Sequence, residues 1–319
     1  MKGGENMNTI KGIPRKDMMT DIVSAFELRG VKACVDLPLD QYSTFAIGGK
    51  CALAVFPKNA DELAFSLELA DGCGMDSEVV GKGSNILFSD DGYDGMLVFT
   101  SQMRQIIHKG DGVICADAGA NLTSASVKAA GWGLTGLEFA CGIPGSCGGA
   151  VYMNAGAYGG EIADVLEYSE YYDTVHKKIR VLHRSEHDFS YRHSIYQRRK
   201  DLIITGVGFK LVRAPESNIR SLMDEYTKKR RASQPHEYPN AGSIFKRPES
   251  GYAAKMIDDC GLKGLSVGGA QVSEKHAGFI VNRGGATAKD VLALIEIIKE
   301  QVYKRFGVTL ECEIKIIKQ

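Results

Sequence analysis

The clearest periodicity in the chain lies close to its C-terminus. Leu292, Ile295, Ile298, Val302 and Phe306 share one face of a helix predicted over 290–306, with Thr287 to Asp290 resembling a capping box and Gly307 as the stop. Beyond it, Val308, Leu310, Cys312, Ile314 and Ile316 alternate with Glu311, Glu313 and Lys315, which predicts a strand with one apolar side. Shorter helices are predicted at 20–29 (Ile22, Val23, Phe26, Leu28), at 59–70 behind an Asn59 cap, at 123–130 before Gly131, and at 219–231. Residues 43–56 read as strand, turn and strand broken at Gly48-Gly49. Further strands are expected at 79–80, 86–88, 96–100, 113–116, 165–172, 180–183 and 202–212. Strands and helices alternate irregularly, so the expected class is α+β rather than a regularly wound parallel sheet. Composition changes near Pro215, which predicts a lead segment over 1–37, a first domain over 38–212 and a second over 213–319.

One stretch fits none of these patterns. From Phe139 to Gly160 the chain carries no charge and is punctuated by Gly142, Gly145, Gly148, Gly149, Gly156, Gly159 and Gly160. Glycines at this density weaken helix and strand alike, so they are better explained by close approach of backbone to a ligand. Exposed N–H groups in an uncharged setting suit a phosphate or a flat ring. A run of tight turns is the bland alternative, and the density favours a bound cofactor.

Composition narrows the classes. The 319 residues carry 39 basic and 39 acidic side chains, so no overall field recruits nucleic acid or an anionic membrane. The N-terminus lacks the continuous apolar segment of a secretory signal, and the glycine-rich run makes a poor spanning helix, so a cytoplasmic enzyme without an obligate protein partner is expected. Eight scattered cysteines show neither C-x-x-C nor paired His spacing, so they read as reduced thiols with no metal site. Lys228 to Arg231 form the one dense basic cluster, read as the solvated end of a helix, with phosphate binding as the minority view.

Local motifs divide between rejections and candidates. Gly131-Trp-Gly133-Leu-Thr-Gly136 is a literal G-x-G-x-x-G, but it follows a helix instead of a strand, so it is not a dinucleotide fingerprint. Gly81-Lys82-Gly83-Ser84-Asn85 lacks the spacing of an ATP loop yet could nest a pyrophosphate between two strands. Ser243 lies outside any G-x-S-x-G elbow. Taken singly, Ser243 reads as a turn residue, Arg192 as a surface arginine and Glu313 as one of a solvated strand face.

Together the fragments Thr44-Phe-Ala-Ile-Gly-Gly, Gly81-Lys-Gly-Ser-Asn-Ile-Leu, Gly142-Ile-Pro-Gly-Ser, Gly148-Gly-Ala, Asn154-Ala-Gly-Ala-Tyr-Gly, Tyr191-Arg192, Gly242-Ser243-Ile-Phe-Lys246 and Glu313-Ile-Lys-Ile resemble the UDP-N-acetylenolpyruvoylglucosamine reductase (MurB) family, in its shorter type. They run in the family's order from about residue 38 onward. The resemblance implies an FAD-binding domain of the vanillyl-alcohol-oxidase (PCMH) type followed by a smaller α+β substrate domain, noncovalent FAD, NADPH as hydride donor, and a nucleotide-sugar substrate. It implies Ser243 as proton donor, with Arg192 and Glu313 flanking the substrate carboxyl. It also implies cofactor contacts from Thr44, Ile47, Gly81, Lys82, Gly83, Ser84, Asn85, Gly142, Ile143, Pro144, Gly145, Ser146, Gly149 and Ala150. Substrate contacts are expected from Tyr191, Asn240, Lys246 and Gln271, and Arg247 stands where longer-type members often carry Asn. The residues alone leave open a flavin oxidase on the same scaffold or a flavin-binding protein without turnover.

Overall fold

The computed structural model describes residues 9–10 and 13–318. Its first half is built on two sheets. In one, the strands Lys32–Pro38, Lys50–Phe56, Tyr93–Phe99 and Ser77–Val80 lie side by side in that order, the first pair antiparallel and the others parallel. The other is wholly antiparallel, in the order Lys178–His183, Leu166–Asp173, Leu202–Lys210, Val113–Asp117 and Ile106–Gly110. The helices Arg15–Leu28 and Ala60–Gly72 close the first sheet, burying Ile22, Phe26, Leu63 and Leu67 against Leu53, Val55, Met96 and Val98.

The second half is a four-stranded antiparallel sheet, Asn240–Ser243, Phe279–Asn282, Ala270–Val272 and Ser266–Val267, backed by the helix Ala288–Phe306. That helix forms as its sequence dictates. Thr287 and Asp290 make a reciprocal capping box, and Gly307 ends it in the left-handed region at φ 68°. Its buried stripe is Val291, Leu294, Ile295, Ile298 and Val302, a closer fit to 3.6-residue spacing than the expected face, with Phe306 38% exposed.

Other expectations are corrected. The N-terminal helix starts earlier, at Arg15, and Leu28 is 91% exposed rather than packed. Residues 43–56 hold one strand, Lys50–Phe56; the chain before it turns irregularly through Ala46 at φ 53° and Gly48 at φ 148°. The alternating segment 308–316 is not one strand either. Only Lys315–Ile317 is extended in a sheet, pairing in parallel with Ile86–Phe88 of the first half. Alternation fails because the segment changes partners midway: Lys246 N donates to Glu311 O and Glu313 N to Ile244 O, after which Lys315 N donates to Asn85 O.

The helix Glu216–Ser233 follows the expected boundary in sequence but packs on the first half, with Ile219 and Met223 against Ala130. The second core instead gathers from Ala241 onward and takes in Phe45, Ile47 and Leu87 from the first half. A further tie is electrostatic: the Asp90 carboxylate accepts from Ala288 N at 2.7 Å and Lys289 N at 3.0 Å, so a first-half residue caps the helix of the second. Asp90→Ala should therefore cost about 1 kcal/mol. A urea midpoint equal to that of the parent protein would contradict this.

Candidate active site

A cleft of about 1600 Å³ runs between the two halves. Two loops some sixty residues apart in sequence meet along it. A Cβ on Gly81 would stand 2.3 Å from Ser146 Oγ, and one on Gly145 would stand 3.6 Å from Ser84 Oγ, so Gly81–Asn85 and Gly142–Ser146 face each other at contact distance. Gly81 cannot carry a side chain without displacing Ser146. Ser146 Oγ in turn accepts from Gly149 N at 3.2 Å, capping the short helix Cys147–Tyr152. Among the described residues, the N–H groups of 81–84 donate to no protein acceptor. They form an open row of donors lining the cleft.

Against the second loop packs a residue whose signal is hidden in the sequence. Arg230 belongs to the basic cluster 228–231, yet it is 6% exposed while its neighbours face solvent. Its Nε and Nη2 are buried without a hydrogen-bond partner, and Nη1 alone reaches Gln234 Oε1, at 3.2 Å. The stem packs on Gly142, where a Cβ would lie 3.2 Å from Arg230 Cδ. Burial pulls the guanidinium pKa below its ordinary value, partly offset by Tyr158 and Cys141. A buried cation with only Gln234 and the Tyr158 ring for company and, among the described residues, no carboxylate against it is costly unless an anion completes it.

The opposite wall carries the remaining chemistry. Arg192 Nε lies 2.8 Å from Glu313 Oε1, an ion pair in which the N–H is not directed at the oxygen. The Glu313 side chain is 13% exposed, against 72% for Glu311 two residues away. Burial raises the Glu313 carboxyl pKa above its usual range, against the opposing pull of Arg192. Ser243 sits on the same wall, and the carbonyl of the next residue, Ile244, accepts from Glu313 N at 2.8 Å. Ser243 and Glu313 are thus fixed to one another through the main chain.

Of the residues singled out in the sequence, Arg192, Ser243, Glu313, Thr44, Lys246, Asn240 and the two glycine loops through Ala150 all line the cleft. Three do not. Ile47 is buried in the second core. Tyr191 is 49% exposed outside the cleft, its hydroxyl accepting from Arg247 N at 3.2 Å. Gln271 lies away on the sheet, its amide donating to Gly264 O and Ser266 Oγ. The side chain of Asn240 is engaged within its own loop, by Pro235 O, Tyr238 O and Gly242 N, so it orders the turn ahead of Ser243. Among the described residues no cluster of His, Cys, Asp or Glu could hold a metal, and no helix is long and apolar enough to cross a membrane.

Comparison with known proteins matches this division of labour. Residues 51–176 fit the family of the FAD binding domain, and residues 234–317 fit the C-terminal domain of UDP-N-acetylenolpyruvoylglucosamine reductase. The reductase of Caldicellulosiruptor saccharolyticus is 47% identical over 88% of this chain and 91% of its own. That of Latilactobacillus sakei is 45% identical, over 88% and 91% respectively. The chain belongs to the UDP-N-acetylenolpyruvoylglucosamine reductase family. Among solved structures, the family member from Thermus caldophilus superposes with a TM-score of 0.78 at 34% identity, covering 90% of this chain and 99% of that one.

FAD is the cofactor of this family fold, and the cleft suits it: a dianionic pyrophosphate would supply acceptors for the open amides and a counter-charge for Arg230. Arg230→Met keeps the stem and removes the charge. About 1.5–3 kcal/mol of charge-assisted bonding is at stake. FAD affinity should then fall about ten- to a hundredfold, measured by quenching of flavin fluorescence on titration with apoprotein. An unchanged Kd would assign the unpaired guanidinium some other role.

Proposed function

We propose that this chain reduces UDP-N-acetylglucosamine-enolpyruvate to UDP-N-acetylmuramate, with FAD bound noncovalently and NADPH as hydride donor, in cytoplasmic synthesis of peptidoglycan precursors. The observation that carries the reading is the joining of three groups in one cleft: a buried Glu313 with a raised pKa, Arg192 against it, and Ser243 one main-chain hydrogen bond away. A flavin oxidase would require the glycine loops but not this second wall. We further place the substrate lobe at 234–319, because the helix Glu216–Ser233 packs with the flavin lobe.

Gly81–Asn85, Gly142–Ser146, Gly149, Ala150, Thr44 and Arg230 would hold the flavin. When bound, the flavin supplies the hydride chemistry. The chain's own residues then manage charge and a proton. Addition of hydride to the terminal alkene carbon leaves carbanion character on the carbon bearing the carboxylate, and Arg192 offers planar donors to the developing enolate. Glu313 can join as a hydrogen-bond donor because burial favours its protonated form. Ser243 gives its hydroxyl proton to the carbanionic carbon. That hydroxyl makes only a long contact, 3.4 Å to Phe245 O, so little local bonding opposes the transfer. Lys246, paired with Glu311 at the cleft edge, would face the diphosphate of the nucleotide sugar.

Ser243→Ala should leave flavin reduction by NADPH nearly intact while reoxidation by the enolpyruvyl substrate slows by several orders of magnitude in anaerobic stopped-flow absorbance. Equal loss in both half-reactions would remove Ser243 from the proton-donor role.

The pH dependence has a definite sign. The folded protein raises the Glu313 pKa, so the protonated, donating form persists above the normal carboxylate range and is lost as pH climbs through the raised value. Reoxidation should decline across that window. In Glu313→Gln, which keeps a donor but has no proton to titrate, the rate should be lower and this decline absent. The same decline in that variant would assign it to another group.

A further inference from the structure

Arg192 is held in a conformation its residue type avoids. Its φ is 54°, in the left-handed region, at the third position of the tight turn Ser190–His193, whose ends exchange backbone hydrogen bonds. Such a conformation persists only where surrounding contacts over-determine it. Arg192's own side chain holds the guanidinium, through the off-line 2.8 Å ion pair with Glu313 and 3.5 Å contacts to Gly156 O, but makes no bond to the backbone of its own turn.

The restraint comes from a neighbour. Gln197 Nε2 donates to Arg192 O at 2.9 Å and to Tyr152 O at 3.1 Å, with Met153 Sδ at 3.8 Å. Three acceptors around one terminal atom settle the amide orientation, since a flipped Gln197 would set its own oxygen against all three. Ser194 Oγ also donates to Tyr152 O, at 2.8 Å, and the fully buried Asn154 donates from Nδ2 to Ser190 O at 3.1 Å while accepting from Ala163 N. The turn bearing Arg192 is thereby lashed to residues 152–154, the end of the same short helix whose other end is capped by Ser146 in the flavin cradle.

We propose that Gln197 is a positioning residue for the enolpyruvyl half-reaction. Its amide, at the cleft wall, clamps the carbonyl of Arg192 and so aims the guanidinium into the cleft. This rests on the assignment of Arg192 given above. Gln197 is legible in the sequence only as a polar residue five positions after Arg192, and nothing in its local pattern marks it.

The test compares Gln197→Ala, Gln197→Glu, Arg192→Ala and the double variant Gln197→Ala/Arg192→Ala in the FAD-loaded protein. Gln197→Glu is nearly isosteric but, ionised, has no N–H to give, so it separates loss of the clamp from loss of packing. Both Gln197 variants should slow reoxidation by the enolpyruvyl substrate about ten- to a hundredfold, the range a misplacement near 1 Å produces. FAD affinity and the rate of reduction by NADPH should stay near parental values, a split that general structural damage would not give. In the double variant the Gln197 effect should vanish, because its target is gone. Parental reoxidation rates in the Gln197 variants, or losses that multiply fully with Arg192→Ala, would overturn the proposal. Normal reoxidation in Arg192→Ala itself would instead sink the role of Arg192, which keeps the two failures distinct.

Discussion

The geometry of the site depends on one backbone crossing. Between Glu311 and Ile317 the chain leaves the second core, bonds the strand-like run at Ile244 to Lys246, then turns its hydrogen bonds to Asn85 and joins the edge at Ile86–Phe88. Asn85 Nδ2 donates to Glu313 O at 3.1 Å, at the point where the partners change. Glu313 is therefore placed by main-chain bonds on both sides, independent of what its carboxyl does. This matters because a buried ion pair is weak support for position: desolvation offsets much of its Coulomb energy. The backbone fixes the carboxyl, and the carboxyl remains free to titrate.

That independence explains an otherwise awkward electrostatic balance. Arg192 alone would pull the Glu313 pKa down, yet burial outweighs it and the net direction is upward. A well-aligned bidentate pair would reverse the outcome, holding the carboxylate ionised and both guanidinium edges occupied. Here the contact is close but misaligned, and Arg192 keeps its terminal nitrogens nearly uncommitted. A pair so aligned leaves donor capacity for a third, anionic member, as the proposed function requires. The orphaned nitrogens of Arg230 fit the same logic: their burial is a cost in the protein alone that a bound anion would offset.

How much of this was legible in the sequence follows the range of the forces involved. The helix Ala288–Phe306 was readable because its cap, stripe and stop are local to it. The glycine loops were readable because glycine density is itself a statement about backbone approach. The alternation over 308–316 misleads because a period of two reports which side is apolar, not which partner is bonded, and here the partner changes at Glu313. Arg230 was concealed by its exposed neighbours: within a helix, one position in four of a basic run can point inward, and only the packing of Gly142 shows which. Gln271 and Tyr191 rest on family resemblance alone, and both lie outside the cleft.

Ile47 shows how a residue can serve the site without lining the cleft. With Phe45 and Leu87 it plugs the second core, while the turn that carries it is gripped by polar contacts: Thr44 Oγ1 donates to Asn240 O at 2.7 Å, and Asn282 Nδ2 donates to Phe45 O and Ala46 O. Asn282 also accepts from Gly284 N and Ala286 N, which fills its hydrogen-bonding capacity. A hinge between lobes would show few buried contacts and exposed polar groups, and this junction has the reverse. Separation of Ser243 from the two glycine loops is thus set by the folded core itself.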